Sequence, residues 1–202
     1  MLRALKRRQG IFMAYVYKYL FLAMWLGYSV YWWAMARDVK VTERSESKVS
    51  RFARLVAIVC AAGLLLLPSV PLPLLNKRFL PIADWSFWSG AAITAAGLLF
   101  SVWARRHLGK NWSQAVTVKE DHELITSGPY AVVRHPIYTG LLLGFLGSAV
   151  ARGEWRGILA VALVFAALWL KLRLEDKWMR AQFGESYAAY SRKVAALVPY
   201  II

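Results

Sequence analysis

Apolar residues in this chain come in long runs, not in the alternating or one-faced patterns of a soluble core. Five runs approach the ~20 residues that cross a bilayer as helix. They lie at 14–35, 52–75, 85–104, 137–151 and 155–172. The first is rich in aromatics and follows Arg3, Lys6, Arg7 and Arg8. No small-residue cleavage site follows it, so it reads as a retained span and not as a signal peptide. The second carries Pro68, Pro71 and Pro73, where the helix is expected to break into an irregular hairpin reaching Pro81. The fourth run amounts to roughly 22 Å of helix against a ~30 Å hydrocarbon layer. It is expected to tilt little and to pack tightly against the fifth as a hairpin. The pattern predicts an all-α integral membrane protein of about five transmembrane helices.

Composition agrees: 59% hydrophobic and 14% aromatic residues exceed what the core of a soluble chain of 202 residues requires. The net charge of +15 raises the question of nucleic acid. The cations, however, cluster at the ends of apolar runs, where anionic headgroups attract them, so nucleic-acid binding is not the reading. Cys60 is the lone cysteine, which leaves no internal disulfide and no sign of an oxidising compartment.

Loops 36–51 and 105–136 and the C-terminal tail hold most of the 26 lysines and arginines. By the positive-inside rule these segments face the cytoplasm together. The four N-terminal cations dissent, since an odd number of spans puts them outside. Either they lie flat at an interface or the first run is not a full crossing.

Against this background residues 122–138, HELITSGPYAVVRHPIY, stand out as polar and turn-rich. Ser127-Gly128-Pro129-Tyr130 is turn chemistry. His135-Pro136 predicts a helix start, because proline suits the first helical position and pushes its predecessor out of helical geometry. The first turn of that helix offers unpaired N–H groups to a carboxylate or phosphate. Arg134 adds a charge beside it, or snorkels to headgroups. Tyr130 and Tyr138 offer a ring or a hydroxyl, although Tyr138 also fits an interfacial anchor. His122 and His135 are a poor match to zinc-ligand spacing, so no metal is expected. Gly140, Gly144 and Gly147 read as a helix-packing face.

In the tail, Glu175 and Asp176 directly follow an apolar span. They have two readings: helix pairing of Lys171 with Glu175 and of Arg173 with Asp176 or Lys177 as its neighbours, or carboxylates that hold a ligand at the membrane face. Phe183-Gly184 is expected to break the helix. Tyr187, Tyr190 and Val194 then recur at helical spacing, as in an interfacial seam.

Taken together, ARRHLGKNWS (104–113), HELITSGPYAVVRHPIYTG (122–140), LRLEDKW (172–178), FGESYAAY (183–190) and Val198-Pro199 resemble the isoprenylcysteine carboxyl methyltransferase family over residues 97–202. The resemblance implies S-adenosyl-L-methionine as methyl donor, in a cytoplasm-facing pocket formed by the 105–136 loop and the amphipathic tail. A lipophilic acceptor would enter from the bilayer. It also implies a division into two N-terminal membrane helices (1–84) and a methyltransferase core (85–202). Donor contacts carried over by position are His122, Glu123, Leu124, Ile125, Tyr130, His135, Pro136, Tyr138 and Glu175. Gln114 lies one position from a family glutamine. The family's substrate-side arginine falls at Lys171, with Arg173 two residues on.

Methyl transfer from a sulfonium to a carboxylate needs no general base, so positioning and desolvation carry it. A cation is needed near the acceptor carboxylate, for which Arg173 with its planar fork is the first choice, with Lys171 and Arg134 as further substrate-side candidates. An anion is needed near the donor, for which Glu175 is the choice. Arg173 and Glu175 are thus the expected catalytic pair. Two other readings stand beside this one. N-methylation of a phospholipid headgroup amine would need a base, with Glu175, His135 or Tyr138 as candidates. A non-enzymatic scaffold or channel would leave Glu175 and Arg134 without a role.

Overall fold

A computed structural model describes residues 2–35, 47–109 and 124–199, with side chains except at 2–14 and 18. The described residues are helical with no strand, in the order α1 (Leu2–Met35), α2 (Lys48–Leu66), a 3-10 turn (Pro73–Asn76), α3 (Asp84–Leu108), α4 (Pro129–Val132), α5 (Pro136–Arg152) and α6 (Trp155–Lys193). Each of the five apolar runs falls on one of the longer helices, the second only as far as Leu66.

Local chemistry sets the helix ends. The Ser47 side chain accepts the Ser50 N–H at 3.2 Å and caps α2. Leu67, extended at ψ 146°, stops the same helix because it precedes Pro68. From there to Pro81 the chain is irregular, as expected. The Asn76 side chain holds that stretch by donating to Val70 O at 2.8 Å and accepting from Val70 N at 3.1 Å.

α2, α3 and α6 are each long and apolar enough to cross a membrane. Phe52, Val59, Leu99 and Leu170 stand exposed on them, an outward apolar surface that suits lipid and not water. This is the architecture of an integral membrane protein.

α5 packs on α6 as expected, but its tightest partner is α3. The glycine face of α5 is the reason. A Cβ added at Gly97 would lie 2.6 Å from Gly140 O, and one added at Gly90 would lie 2.5 Å from Gly147 O. Only bare backbone allows that approach. Thr94, buried between the two helices, donates to Gly90 O at 2.9 Å. α6 turns back after Gly153 and packs on both α2 and α5 through Leu65, Phe145, Ala149, Ala160 and Val164.

At the far end of the bundle from the insert, Arg152 and Arg156 donate to the last carbonyls of α2, Leu65 O and Leu67 O, at 2.9 and 2.8 Å. Glu154 balances them through Arg156 Nε at 2.6 Å.

Candidate active site

The insert folds from its own turn outward. Gly128 adopts φ 59°, a conformation that costs glycine little, and Tyr130 N–H donates to Ser127 O at 3.1 Å. A Cβ at Gly128 would collide with the His107 ring at 2.7 Å. That ring hydrogen-bonds Ser127 Oγ at 3.0 Å and stacks toward Tyr130, which ties the end of α3 to the insert. α4 is a single turn, and α5 starts at Pro136 as the sequence predicts.

The tail folds back onto this insert because Gly184 (φ 51°) kinks α6. Beyond the kink, Tyr190 donates to Tyr130 O at 2.6 Å. Arg134 N and His135 N donate to Ala195 O and Ala196 O at 2.8 and 3.0 Å. Thr139 Oγ1 donates to Leu197 O at 2.7 Å. The insert and the tail therefore form one hydrogen-bonded unit over the polar end of α5 and α6.

Under it lies a network of charges. His135 places Nε2 2.8 Å from Asp176 Oδ1 and Nδ1 3.4 Å from Glu175 Oε2. Only an imidazolium donates from both nitrogens. Burial alone would push its pKa down, but the two carboxylates outweigh burial and hold it above the ordinary histidine value. Burial likewise pushes both carboxyls up, and their partners reverse it. Lys171, His135 and Tyr138 hold Glu175 well below the usual carboxylate range. His135, Tyr187 and Arg134 do the same for Asp176. Tyr138 donates to Glu175 Oε1 at 2.5 Å, its ring parallel to His135 (4°) and beneath Lys171 Nζ at 5.2 Å. Lys171 Nζ sits 3.3 Å from Glu175 Oε1. On Asp176 converge Arg134 Nη2 at 3.0 Å and the Tyr187 hydroxyl.

The structure thus brings together His135, Tyr138, Lys171 and Glu175. Pro136 and Tyr130 are buried at the edge of the group, and Leu124 and Ile125 are half-buried just before the turn. Gln114, His122 and Glu123 lie outside the described residues.

Four expectations change. Arg173 does not join Glu175: two helical positions turn a side chain by about 200°, and its guanidinium lies over Trp169 at 5.8 Å instead. The expected pairing of Arg173 with Asp176 is replaced by Arg134, His135 and Tyr187 on that carboxylate. Arg134 does not snorkel toward headgroups, since it also donates to Ser191 O at 3.1 Å and Val194 O at 2.5 Å. Tyr187 and Tyr190 do not form an outward seam but turn their hydroxyls inward, to Asp176 and to Tyr130 O. Asp176 and Tyr187, absent from the expected site residues, are central to the network. The acidic pair after an apolar run was the available signal for the first.

Residues 85–186, which contain α3, the insert, α5 and this carboxylate pair, match the phospholipid methyltransferase family. The chain belongs to that family. Membership confirms the resemblance to membrane methyltransferases read from the motifs. Among its relatives, the protein-S-isoprenylcysteine O-methyltransferase of Schizosaccharomyces pombe is 35% identical over 99 residues, covering 46% of this chain and 41% of the relative. The cobalt-zinc-cadmium resistance protein CzcN of Cupriavidus metallidurans is 33% identical over 94 residues, covering 46% and 43%. The phosphatidyl-N-methylethanolamine N-methyltransferase of Emericella nidulans is 39% identical over 71 residues, covering 35% and 33%. The chain spans less than half the length of each of these relatives.

Proposed function

We propose that this family member transfers a methyl group from S-adenosyl-L-methionine to the carboxylate of an isoprenylcysteine or a similar lipophilic acid. The five longer helices would all span the membrane, with the donor site on the cytoplasmic side. The observation that carries the acceptor class is His135 held between Glu175 and Asp176. An amine acceptor must lose a proton, and a useful base has a pKa near the working pH. Here the two carboxylates favour the protonated form of the imidazole, and both carboxylates are themselves weak bases with depressed pKa values. A carboxylate acceptor is ionised at neutral pH and needs no base.

The residues fit the donor. S-adenosyl-L-methionine supplies an electrophilic methyl on a sulfonium. Glu175, ionised and within reach of the long, flexible Lys171 stem, is suited to the donor's ammonium or ribose hydroxyls, with Tyr138 and His135 fixing its orientation. His122, Glu123, Leu124, Ile125, Tyr130 and Pro136, with Gln114, would supply the remaining donor contacts. Lys171 would be the cation for the acceptor carboxylate, a reading supported by Arg173 lying over Trp169 and by Lys171 Nζ standing 3.3 Å from Glu175 Oε1. Its hydrocarbon stem lies along the end of the apolar run, where a lipophilic acid would arrive from the bilayer. Displacement of water as both ligands enter strengthens these charge contacts.

The test is a labelled-donor assay on purified protein with prenylcysteine and phosphatidylethanolamine offered separately. Base-labile methyl ester on the prenylcysteine is expected. Stable label on the amine lipid alone would overturn the acceptor class, and failure to bind the donor would overturn the enzyme reading.

A further inference from the structure

On the other side of α6 from Glu175 lies a groove of about 950 Å³. Trp169, Arg173, Lys177 and Arg180 recur along one face of α6 and form its first wall. Arg192 and Lys193, with the turn through Val194 to Ala196, form the second. Its floor holds Leu172, Arg134 and Asp176. Asp176 is the one acid among the lining residues, and Arg134, His135 and Tyr187 already occupy it. Arg192 pairs with exposed Glu185 at 2.5 Å. No carboxylate among the described residues lies within ion-pair distance of Arg173, Lys177, Arg180 or Lys193. A concave surface with this surplus of cations calls for an anion.

The groove is graded along its length. Trp169 and Leu172 are the last members of the apolar run 155–172, so this end sits at the edge of the hydrocarbon. Arg180 is eleven residues beyond Trp169, about 16 Å along the helix. Cations therefore begin where the apolar wall stops, at the depth of lipid phosphates, while Trp169 and Leu172 offer an acyl chain a surface below. Arg173, laid on the Trp169 ring, is held at that boundary. A soluble anion would use only the outer half of such a groove.

We propose that this groove is a binding site for one anionic phospholipid, its phosphate between Arg173, Lys177 and the Lys193 wall and its first acyl carbons against Trp169. It borders the candidate active site through Arg134 and Asp176, but it does not depend on the methyl-transfer assignment. A lipid seated there bridges the two walls and holds the tail in its folded-back position.

Native mass spectrometry of the full chain, with phosphatidylglycerol and phosphatidylcholine offered together, tests this. The protein should retain phosphatidylglycerol in preference. Each basic residue near a membrane surface is worth about fivefold, so Lys177→Gln with Arg180→Gln should weaken retention by roughly twenty- to thirty-fold. Arg192→Gln with Lys193→Gln, on the opposite wall, should do likewise and serves if the first pair fails to fold. Lys48→Gln with Arg51→Gln, the same charge removed from α2, should leave the preference intact. Equal retention of the two lipids would overturn the proposal, as would an equal loss in the α2 control. Displacement of the lipid by an equal concentration of inorganic phosphate would show an anion site without lipid selectivity, and would overturn it too.

Discussion

Tyr138 on α5 donates a 2.5 Å hydrogen bond to Glu175 on α6, across 37 residues of chain. This contact fixes the rotation of the carboxylate and sets it beside both Lys171 and His135.

If Glu175 holds the donor, Glu175→Gln should weaken S-adenosylmethionine binding by roughly ten- to a hundredfold, the range for loss of a charge-assisted hydrogen bond. Calorimetric titration in detergent measures it. Unchanged affinity would remove Glu175 from the donor site.

Lys171 and Arg173 separate by kinetics. Lys171→Ala should raise the acceptor's KM with a smaller change in kcat, because a ground-state contact is lost. Arg173→Ala should leave both constants within about twofold, as expected of a side chain outside the contact network. The opposite result would return Arg173 to the acceptor site.

Asp176 ties three elements together, and Asp176→Asn leaves Arg134 and His135 without their counter-charge. A loss of roughly 3 kcal/mol is expected for breaking a largely buried ion pair. Thermal melts in detergent should show the drop, and Tyr187→Phe should produce a smaller one.

Stability should depend on pH at both ends. The raised pKa of His135 gives stabilisation that is complete below the unfolded value of about 6.5 and is lost as pH rises through the folded value. The depressed carboxylates stabilise above about pH 4, and their share is lost as pH falls through their folded values. Melting temperature should therefore peak in mildly acidic to neutral solution. In His135→Gln the alkaline decline should flatten; persistence of the full decline would assign it to another group.

Gly97→Ala forces a methyl against Gly140 O, and overpacking of this kind costs about 1–3 kcal/mol. A lowered melting temperature is expected, with little change at Gly27→Ala, where the added Cβ meets nothing within 4 Å.

What could be seen in the sequence were the backbone instructions. Pro68 ends α2, Pro136 begins α5 and Gly184 kinks α6, each from chemistry confined to a few neighbours. The glycine face of α5 was equally visible, but nothing local says whether α3 or α6 fills it. The direction of the Gly184 kink is likewise set by tertiary contacts, so Tyr187 read as a seam when it closes on Asp176. That Lys171 and not Arg173 shares a face with Glu175 was legible in the spacing. A separation of four shares a helix face with Glu175 and a separation of two does not, but the better fork geometry of arginine was given more weight than helical period.

One rigid helix carries both the apolar run and Glu175, so α6 works as a depth gauge. An extra residue between Trp155 and Leu172 would turn the carboxylate by about 100° and lift it about 1.5 Å, enough to part it from Tyr138. Insertion of a whole turn would restore the facing but raise the carboxylate by roughly 5 Å, out of reach of the insert that α5 holds in place. The length of an apolar segment, with no reactive group of its own, decides at what level the chemistry meets the membrane.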